Sequence, residues 1–353
     1  MTESTSPATK DSPAPPPHVG TATLDRPVAV VAGGSAGIGR ATAELLARKG
    51  HDVAVLARGR ENLEQAETAL RTLGVNALGI VCDVSDEAQV RRATERVVNE
   101  LGEPDIWVNC AMLTVFGAFD TLSDEDFRAV VDTTFMGQVI GTRIALEDMR
   151  RRGRGHIVCV GSGLSYRSVP LQSAYCAAKA AINGFTQSVR SELIHDGLDG
   201  EDGICISLVQ LPAVNTPQFD WARFTIRNQP RPAAPVYQPE VAARAVWQAI
   251  EKRSRELLVG RSVLMLVFGD MVFRALFDRQ LAKAGYEGQN SDRSPSGERD
   301  DNLRSPSSMR ADAHGSFGDE ASDKGVIIDA DLARGLVFGG GALVLLLIGL
   351  LLG

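Results

Sequence analysis

The chain lacks the cysteine pairs, histidine clusters and basic patches that are typical of disulfide-rich, metal-binding and nucleic-acid-binding proteins. Its five cysteines are scattered without a C-x-x-C pair, which indicates small packing residues in a reducing compartment and not a disulfide framework. Its five histidines form no cluster, so we predict no metal site. A formal net charge of −7 with no basic patch argues against nucleic acid as a partner.

Two polar segments lack the long apolar runs of a folded domain. Residues 1–26 are rich in Pro, Ser, Thr and Ala, which is typical of a disordered leader and not of a signal peptide. Residues 286–334 carry eleven acidic against six basic side chains, and Leu303 and Phe317 are nearly the only large hydrophobes of residues 286–325. This composition predicts a disordered acidic linker.

One long apolar run stands at residues 335–353, which contain no charge. A helix of this length spans about 28 Å, close to the hydrocarbon core of a bilayer. We therefore predict a C-terminal transmembrane helix that anchors the folded domain to a membrane. The domain is expected in the cytoplasm, because an export signal is lacking and Arg334 lies at the inner boundary of the run. A buried helix is the alternative interpretation.

Residues 27–285 alternate between short apolar runs and stretches of helical periodicity. The runs read VAVVA, DVAVLA, NALGIVCD, DIWVN, HIVCVGS and GICISLVQ. Such runs are typical of strands buried on both faces by crossover helices. We predict an α/β fold with a Rossmann-type doubly wound parallel sheet in a single domain, because this length suffices for one large core.

A glycine-rich turn follows the first run. Gly33, Gly37 and Gly39 have the spacing G-x-x-x-G-x-G and precede a helical pattern. Glycines allow the backbone to turn tightly and approach a pyrophosphate, and the helix N-terminus offers free N–H groups. The strand, glycine turn and helix together predict a dinucleotide-binding site.

A second pattern indicates proton transfer. Tyr175 and Lys179 stand four residues apart, on one face of a predicted helix, and Ser162 lies thirteen residues upstream. A nearby ammonium lowers the pKa of a phenol, which can then exchange a proton with a substrate hydroxyl or carbonyl. Ser162 is expected to hydrogen-bond the same substrate oxygen. Many surface helices carry such a pair by chance, so its value depends on the dinucleotide motif that precedes it.

These features resemble the short-chain dehydrogenase/reductase family. The stretch AGGSAGIG matches the family's motif T-G-x-x-x-G-x-G except that Ala32 replaces Thr, and the Ser-Tyr-Lys set matches in type and spacing. Other positions differ from the family pattern. The family's Asn-Asn-Ala-Gly motif appears here as residues 109–112 (NCAM), and its relay Asn is replaced by Thr134. The glycine of its Pro-Gly motif is replaced by Ala213.

The resemblance implies roles for residues at matching positions. The implied catalytic residues are Ser162, Tyr175, Lys179 and Thr134, where the Thr hydroxyl would replace the relay Asn by organising water. The implied coenzyme-binding residues are Gly33, Ser35, Gly37, Ile38, Gly39, Arg58, Asp83, Val84, Asn109, Ala111, Tyr175, Lys179, Val214 and Thr216. Asp83 would cap the adenine edge, and Asn109 would shape the nicotinamide side.

The coenzyme prediction depends on the end of the second apolar run. A coenzyme without a 2′-phosphate is normally held there by a carboxylate, but Ala57 occupies this position and Arg58 follows. A guanidinium suits a phosphate through its charge and forked donors, so NADP(H) is favoured over NAD(H). A solvated loop arginine is the alternative.

Two later segments bear on the substrate. QFDWARFTIRNQPRPAAPVY contains Phe219, Trp221, Phe224 and Ile226, which indicate an apolar pocket wall or a loop packing its own aromatics. The apolar stretch RSVLMLVFGDMVFRALFDRQLAKAG predicts core or dimer packing first, with an interfacial membrane helix as the alternative. A homo-oligomer is compatible with the family.

Three functions remain open at this point. The first is an NADP(H)-dependent oxidoreductase that interconverts an alcohol and a carbonyl by hydride transfer, acting on a lipophilic substrate. The others are a catalytically silent dinucleotide-binding module and a membrane-tethered interaction scaffold. The intact Ser162, Tyr175 and Lys179 favour the enzyme, because a silent module has no physical need for all three.

Overall fold

The computed structural model describes residues 26–294, 300–309 and 312–340. Its main sheet has seven parallel strands, which run over β1 (Val28–Ala32), β2 (Asp52–Ala57), β3 (Ala77–Val81), β4 (Pro104–Asn109), β5 (Gly155–Val160), β6 (Ile204–Gln210) and β7 (Glu256–Val259). An eighth strand, β8 (Ile327–Asp329), pairs antiparallel with β7. The strand order β8-β7-β6-β5-β4-β1-β2-β3 reverses between β1 and β4, which is where open α/β sheets bind ligands.

Helices cover both faces of this sheet. They run over α1 (Gly37–Arg48), α2 (Arg60–Thr72), α3 (Glu87–Glu100), α4 (Asp124–Val131), α5 (Gly137–Arg152), α6 (Ser173–His195), α7 (Pro239–Glu251) and α8 (Arg261–Gln280). Because side chains alternate along a strand, Val31 and Val55 pack towards α1, α2 and α7, whereas Val30 and Leu56 pack towards α3, α5 and α6. The predicted doubly wound α/β fold is confirmed.

Short elements complete the fold beyond the main strands. A three-stranded sheet joins Ala213–Val214, Val236–Tyr237 and Ala321–Ser322, and Val115–Phe116 pairs with Arg223–Phe224. Between α4 and α5, the segment Asp132–Met136 forms a π-helical turn, so the two helices are continuous. Through Ala321–Ser322, the chain that follows α8 therefore pairs with Val236–Tyr237, before α7.

The prediction of a disordered linker over residues 286–334 is wrong for its described part. Leu303 and Phe317 are 1% and 4% exposed, and β8 extends the main sheet. Arg334 also forms an ion pair with the buried Glu256 at 2.8 Å. The composition of a segment shows how few hydrophobic side chains it contains but not where they bind. Leu303 and Phe317 are buried against surfaces that the rest of the fold forms. The folded domain therefore continues past residue 285.

The predicted ends fall largely outside the described residues. The leader of residues 1–26 is described only at Arg26, and residues 341–353 of the predicted transmembrane helix are not described. Residues 330–340 are helical. Among the described helices, none has both the length and the apolar character needed to cross a bilayer.

Candidate active site

The turn between β1 and α1 forms the floor of a cavity of about 450 Å³. Gly33 and Gly37 have φ of +85° and +58°, which a side chain would strain. A Cβ on Gly33 would lie 2.6 Å from the Cα of Ala111, and one on Gly39 would collide with the carbonyl oxygen of Gly33. The bare backbone at this turn fits the close approach of a pyrophosphate. Five predicted residues line the floor: Gly33, Ser35, Gly37, Ile38 and Gly39.

The ends of β2 and β3 form one side of the cavity, where Arg58, Asp83 and Val84 all line it. Burial lowers the pKa of Arg58, against the opposing charge of Asp83. The guanidinium donates to the backbone oxygen of Leu303 at 3.3 Å and to that of Asn302. Arg58 is therefore fixed by backbone hydrogen bonds and is not a solvated loop arginine. Its partners belong to the segment that we predicted to be a disordered linker.

Ser162 and Tyr175 meet at the same edge of the sheet. Ser162 follows β5, Tyr175 lies in the first turn of α6, and both residues line the cavity. Burial raises the pKa of the Tyr175 phenol, and the Ser162 side chain opposes this shift. The phenol is therefore neutral and ready to donate a proton. The predicted lowering of its pKa by Lys179 is wrong for this structure, because burial dominates.

Lys179 lies one turn along α6 from Tyr175, with 2% exposure. Its ammonium stands 5.6 Å from the centre of the Tyr175 ring and donates to the backbone oxygen of Val160 at 2.6 Å. Burial lowers the pKa of Lys179 to about 8. This value is low for a lysine, and perturbed values of this kind are typical of functional sites.

Thr134 does not line the cavity. It is fully buried in the π-helical turn, where its hydroxyl donates to the oxygen of Leu113 at 3.0 Å and accepts from the nitrogen of Leu113 at 2.9 Å. Its one proton is thus committed to the backbone. The structure assigns Thr134 to bracing the loop after β4, and the prediction that it replaces the relay Asn has no geometric support.

Asn109 is also turned away from the cavity. Its side chain accepts from Trp107 Nε1 at 2.9 Å and donates to Thr142 Oγ1 at 3.0 Å, so it fixes the end of β4 against α5. The Asn109 side chain does not line the cavity, so its predicted part in shaping the nicotinamide side rests on fixing the end of β4 and stays a prediction. Its neighbour Ala111 does line the cavity and packs against Gly33.

The far end of the cavity follows β6 and is mostly apolar. Val214 and Thr216 line it, as the resemblance implied. Side chains from the loop after β6 and from α8 add apolar wall, namely Phe219, Trp221, Met265 and Leu266. Phe219 also packs with Phe116 and Phe317, so the aromatic segment both lines the pocket and packs its own aromatics.

Sequence reasoning missed a buried polar network behind Ser162. Gln210, fully buried at the end of β6, accepts from the Ser162 backbone nitrogen at 2.9 Å and donates to Glu256 Oε1 at 3.0 Å. Glu256 also accepts from Tyr166 Oη at 2.5 Å and from Arg334 Nη2 at 2.8 Å. The sequence signal for this network was a polar residue, Gln210, at the end of the otherwise apolar run ISLVQ.

Reactive alternatives nearby are not supported. Cys176 adjoins Tyr175 but is buried, and burial raises the pKa of its thiol, which confirms the packing interpretation. Over the described ranges, no group of His, Cys, Asp and Glu side chains is arranged to hold a metal ion. The site thus consists of a dinucleotide cleft and a buried Ser-Tyr-Lys cluster at one edge of the sheet, which together define a dinucleotide-dependent oxidoreductase.

Comparisons with known proteins agree with this class. The family model described as short chain dehydrogenase matches residues 27–223. The uncharacterized oxidoreductase YxnA of Bacillus subtilis (strain 168) is 32% identical over 278 residues, which are 78% of this chain and 77% of that protein. The short-chain reductase protein NovJ of Streptomyces niveus is 35% identical over 193 residues, covering 55% of this chain and 71% of that protein.

A solved structure of an actinorhodin polyketide ketoreductase variant with NADPH superposes with a TM-score of 0.58 at 30% identity, covering 65% of this chain and 92% of that chain. The chain therefore belongs to the short-chain dehydrogenase/reductase family. It is an NAD(P)-dependent oxidoreductase acting on CH–OH or C=O groups. This activity sets aside the silent module and the interaction scaffold.

Proposed function

We propose that this oxidoreductase uses Ser162, Tyr175 and Lys179 to interconvert a lipophilic alcohol and its ketone with NADP(H). The observation that carries the proposal is that Ser162, Tyr175 and Lys179 line the same cavity as the glycine turn. The coenzyme, when bound, supplies or accepts the hydride. The remaining chemistry, holding the substrate oxygen and moving its proton, belongs to the protein.

Each catalytic side chain has a distinct task in this proposal. The Tyr175 phenol, kept neutral by burial, donates its proton to the carbonyl oxygen during reduction and takes it back during oxidation. The Ser162 hydroxyl orients that oxygen beside the phenol. Lys179, held by Val160 beside Tyr175 in the cavity lining, is the residue that would hold the nicotinamide ribose.

NADP(H) preference is attributed to Arg58. Arg58 lines the cavity directly after β2, and Ala57 supplies no carboxylate to hold a free 2′-hydroxyl. The actinorhodin ketoreductase named above was solved with NADPH, which supports the same choice. A charge-assisted contact with phosphate corresponds to roughly ten- to a hundredfold in affinity. Arg58→Ala should therefore remove most of the difference between the NADH and the NADPH dissociation constants.

A lipophilic substrate is inferred from the far end of the cavity. Phe219, Trp221, Met265 and Leu266 line it. Apolar walls with a few polar groups favour a mostly apolar ligand that presents one reactive oxygen. A panel of ketones of increasing apolar size should show kcat/KM rising with buried apolar area and not with added polar groups.

Tyr175→Phe tests the proposed chemistry. Removing the phenol oxygen should lower kcat by at least ~10²-fold, the scale of a lost general acid, while NADPH binding persists in a fluorescence titration. Tyr286→Phe, on a half-exposed tyrosine outside the cavity, is the matched control and should keep wild-type turnover. Normal turnover of Tyr175→Phe would refute the mechanism.

We also propose that residues 335–353 anchor this domain to the cytoplasmic face of a membrane. The support is the uncharged run itself, together with the exposed Leu336, Val337 and Phe338 at its start. Cytoplasmic exposure gives access to NADP(H). Full-length protein should pellet with membranes and resist carbonate extraction. Leu346→Arg should weaken that association, since a charge near a helix centre is costly in a bilayer. An equal soluble fraction for both proteins contradicts the anchor.

A further inference from the structure

Exposed apolar side chains cluster on α8 and on the helix over residues 330–340. We use the term apolar patch for nine of them: Met265, Met271, Val272, Phe273 and Leu276 of α8, with Leu332, Leu336, Val337 and Phe338. They make up more than half of the large hydrophobic side chains that are exposed in the described part of the chain. Single exposed hydrophobes are ordinary, but a cluster of this kind marks an interaction site.

The two helices that carry the apolar patch pack against each other. Val267 of α8 is buried in one cluster with Ala330 and Ala333. The ring centres of Phe268 and Phe338 lie 6.4 Å apart. The exposed side chains of the two helices are therefore neighbours on one surface.

The second half of α8 is not packed onto its own domain. All six residues 271–276 are exposed, and Arg274 is their only charged member. The sequence predicted core or dimer packing first for this stretch. Core packing is found at Val263 and Val267 but not over residues 271–276. An apolar helical segment that is exposed on every side marks a surface that binds a partner outside the domain.

Basic side chains accompany the apolar patch along α8. Residues 261–285 carry four basic and two acidic side chains, although the whole chain has a net charge of −7. Both acidic side chains form ion pairs with Arg167. Arg261, Arg279 and Lys283 are exposed and have no ion-pair partner among the described residues. An apolar face with unpaired basic side chains is complementary to a membrane with anionic headgroups.

The apolar patch adjoins the apolar end of the cavity. Met265 is 58% exposed and also lines the cavity, and its neighbour Leu266 lines it as well. Leu281 and Ala284, which follow α8 directly, add to the same lining. A lipophilic molecule at the patch is therefore next to the part of the cavity that suits it.

We propose that the apolar patch lies on the surface of a membrane that contains anionic lipids, and that a membrane-dissolved substrate enters the cavity from the bilayer past Met265. The inference rests on the lipophilic substrate and the membrane anchor proposed above, and it adds the face of the domain that meets the lipid. Leu336, Val337 and Phe338 belong both to the patch and to the anchor segment. An anchor inserted there brings α8 to the bilayer surface.

A second copy of this chain is the alternative partner for the apolar patch. A two-fold interface places the same surface of both copies together, so Arg261, Arg279 and Lys283 of one copy would approach those of the other. Like charges brought together at an interface are unfavourable, whereas anionic headgroups neutralise them. The charges therefore favour the membrane.

A fluorescent label on the apolar patch measures the lipid contact. Val272→Cys carries the environment-sensitive dye NBD, and Val98→Cys, at an exposed valine of α3 outside the patch, is the matched control. The five native cysteines are buried or half-buried, so the introduced thiol reacts first. Full-length protein is mixed with vesicles of phosphatidylcholine and phosphatidylglycerol.

Spin-labelled lipid should quench the label at position 272, and iodide should not reach it. The label at position 98 should show the reverse. Iodide quenching at position 272 in the presence of vesicles overturns the proposal. A label there that neither quencher reaches also overturns it, because a second copy then covers the patch.

The anchor and the apolar patch fail in different measurements. Extraction of the wild-type protein by carbonate contradicts the anchor, whereas the label reports lipid contact of the patch however the protein is held. The label measurement needs no turnover, so its outcome is independent of the substrate that the enzyme uses.

Val272→Asp tests the substrate route. It should raise the KM for a long-chain ketone dissolved in the vesicles by about three- to tenfold, because a charge weakens the lipid contact. The KM for a short water-soluble ketone should stay unchanged, since Val272 does not line the cavity. Val98→Asp is the control and should leave both values unaltered. A general loss of structure would lower kcat for both ketones alike. An unchanged KM for the vesicle-dissolved ketone in Val272→Asp overturns the route.

Discussion

The side-chain oxygen of Gln210 accepts a hydrogen bond from the backbone nitrogen of Ser162 over 2.9 Å. The same oxygen accepts from Ser165 Oγ at 3.1 Å, and the amide nitrogen donates to Asn183 and Glu256. All four contacts are made inside the domain, where an unpaired polar group is expensive. Gln210 therefore fixes the backbone that carries the catalytic serine.

Gln210→Leu should lower both stability and turnover. It leaves the Ser162 N–H without its acceptor, at about 1–3 kcal/mol of unfolding free energy, and removes one of the two donors to Glu256 Oε1. Urea denaturation measures the loss. Gln187→Leu, on the exposed side of α6, is the control and should stay within about 0.5 kcal/mol of wild type. Equal urea midpoints for the two variants would show that the hydrogen bonds of Gln210 contribute little to stability.

Thr134→Val separates a bracing role from a proton relay. The change keeps the shape of the side chain but leaves the nitrogen and oxygen of Leu113 unpaired, so the unfolding free energy should fall by about 1–3 kcal/mol. Turnover per folded molecule should stay close to wild type. Thr68→Val is the control, because its hydroxyl also donates to a backbone oxygen but is exposed. A relay would give the opposite pattern, with turnover lost and stability kept.

His156 should make the protein sensitive to acid. Burial lowers the pKa of His156 to about 3, and its ring contacts Ser207 Oγ at 2.8 Å. Between pH 3 and about 6.5 the unfolded chain binds a proton here that the folded chain does not, so stability falls as pH falls across this window. Above it, both states are neutral and the dependence ends.

His156→Asn measures this contribution. The slope of unfolding free energy against pH between 3 and 6.5 should be shallower in the variant than in wild type, whatever the change in absolute stability. His195→Asn, at an exposed position at the end of α6, is the control for the substitution itself. Parallel curves for wild type and His156→Asn would contradict the buried neutral imidazole.

Gly39→Ala should abolish coenzyme binding. A methyl group there would collide with the backbone oxygen of Gly33, so the glycine turn must open and its floor is lost. NADPH titration measures the effect. Gly184→Ala, in α6 with open space around its Cβ position, is the control. It should bind normally and gain about 0.5–1 kcal/mol of stability from helix propensity. Normal NADPH affinity in Gly39→Ala would mean that the turn does not contact the coenzyme.

Local patterns determined much of this protein. The apolar runs predicted the parallel strands because strands buried on both faces must be apolar, and the glycine spacing predicted the turn because only glycine fits its backbone. The spacing of Ser162, Tyr175 and Lys179, together with the dinucleotide motif before them, predicted that they lie close together, since i and i+4 share a helix face and a residue after a parallel strand lies at the same edge of the sheet.

Only the tertiary structure decided the environment of those residues. Burial, and not the neighbouring Lys179, controls the pKa of Tyr175. Thr134 occupies the relay position, but its hydroxyl is bound to Leu113. The partners of Arg58 lie some 245 residues further along the chain. Such contacts depend on how segments that are far apart in the sequence pack against one another in the fold. Leu303 and Phe317 are buried because other parts of the fold form sites for them. The composition of residues 286–334 gives no information about those sites.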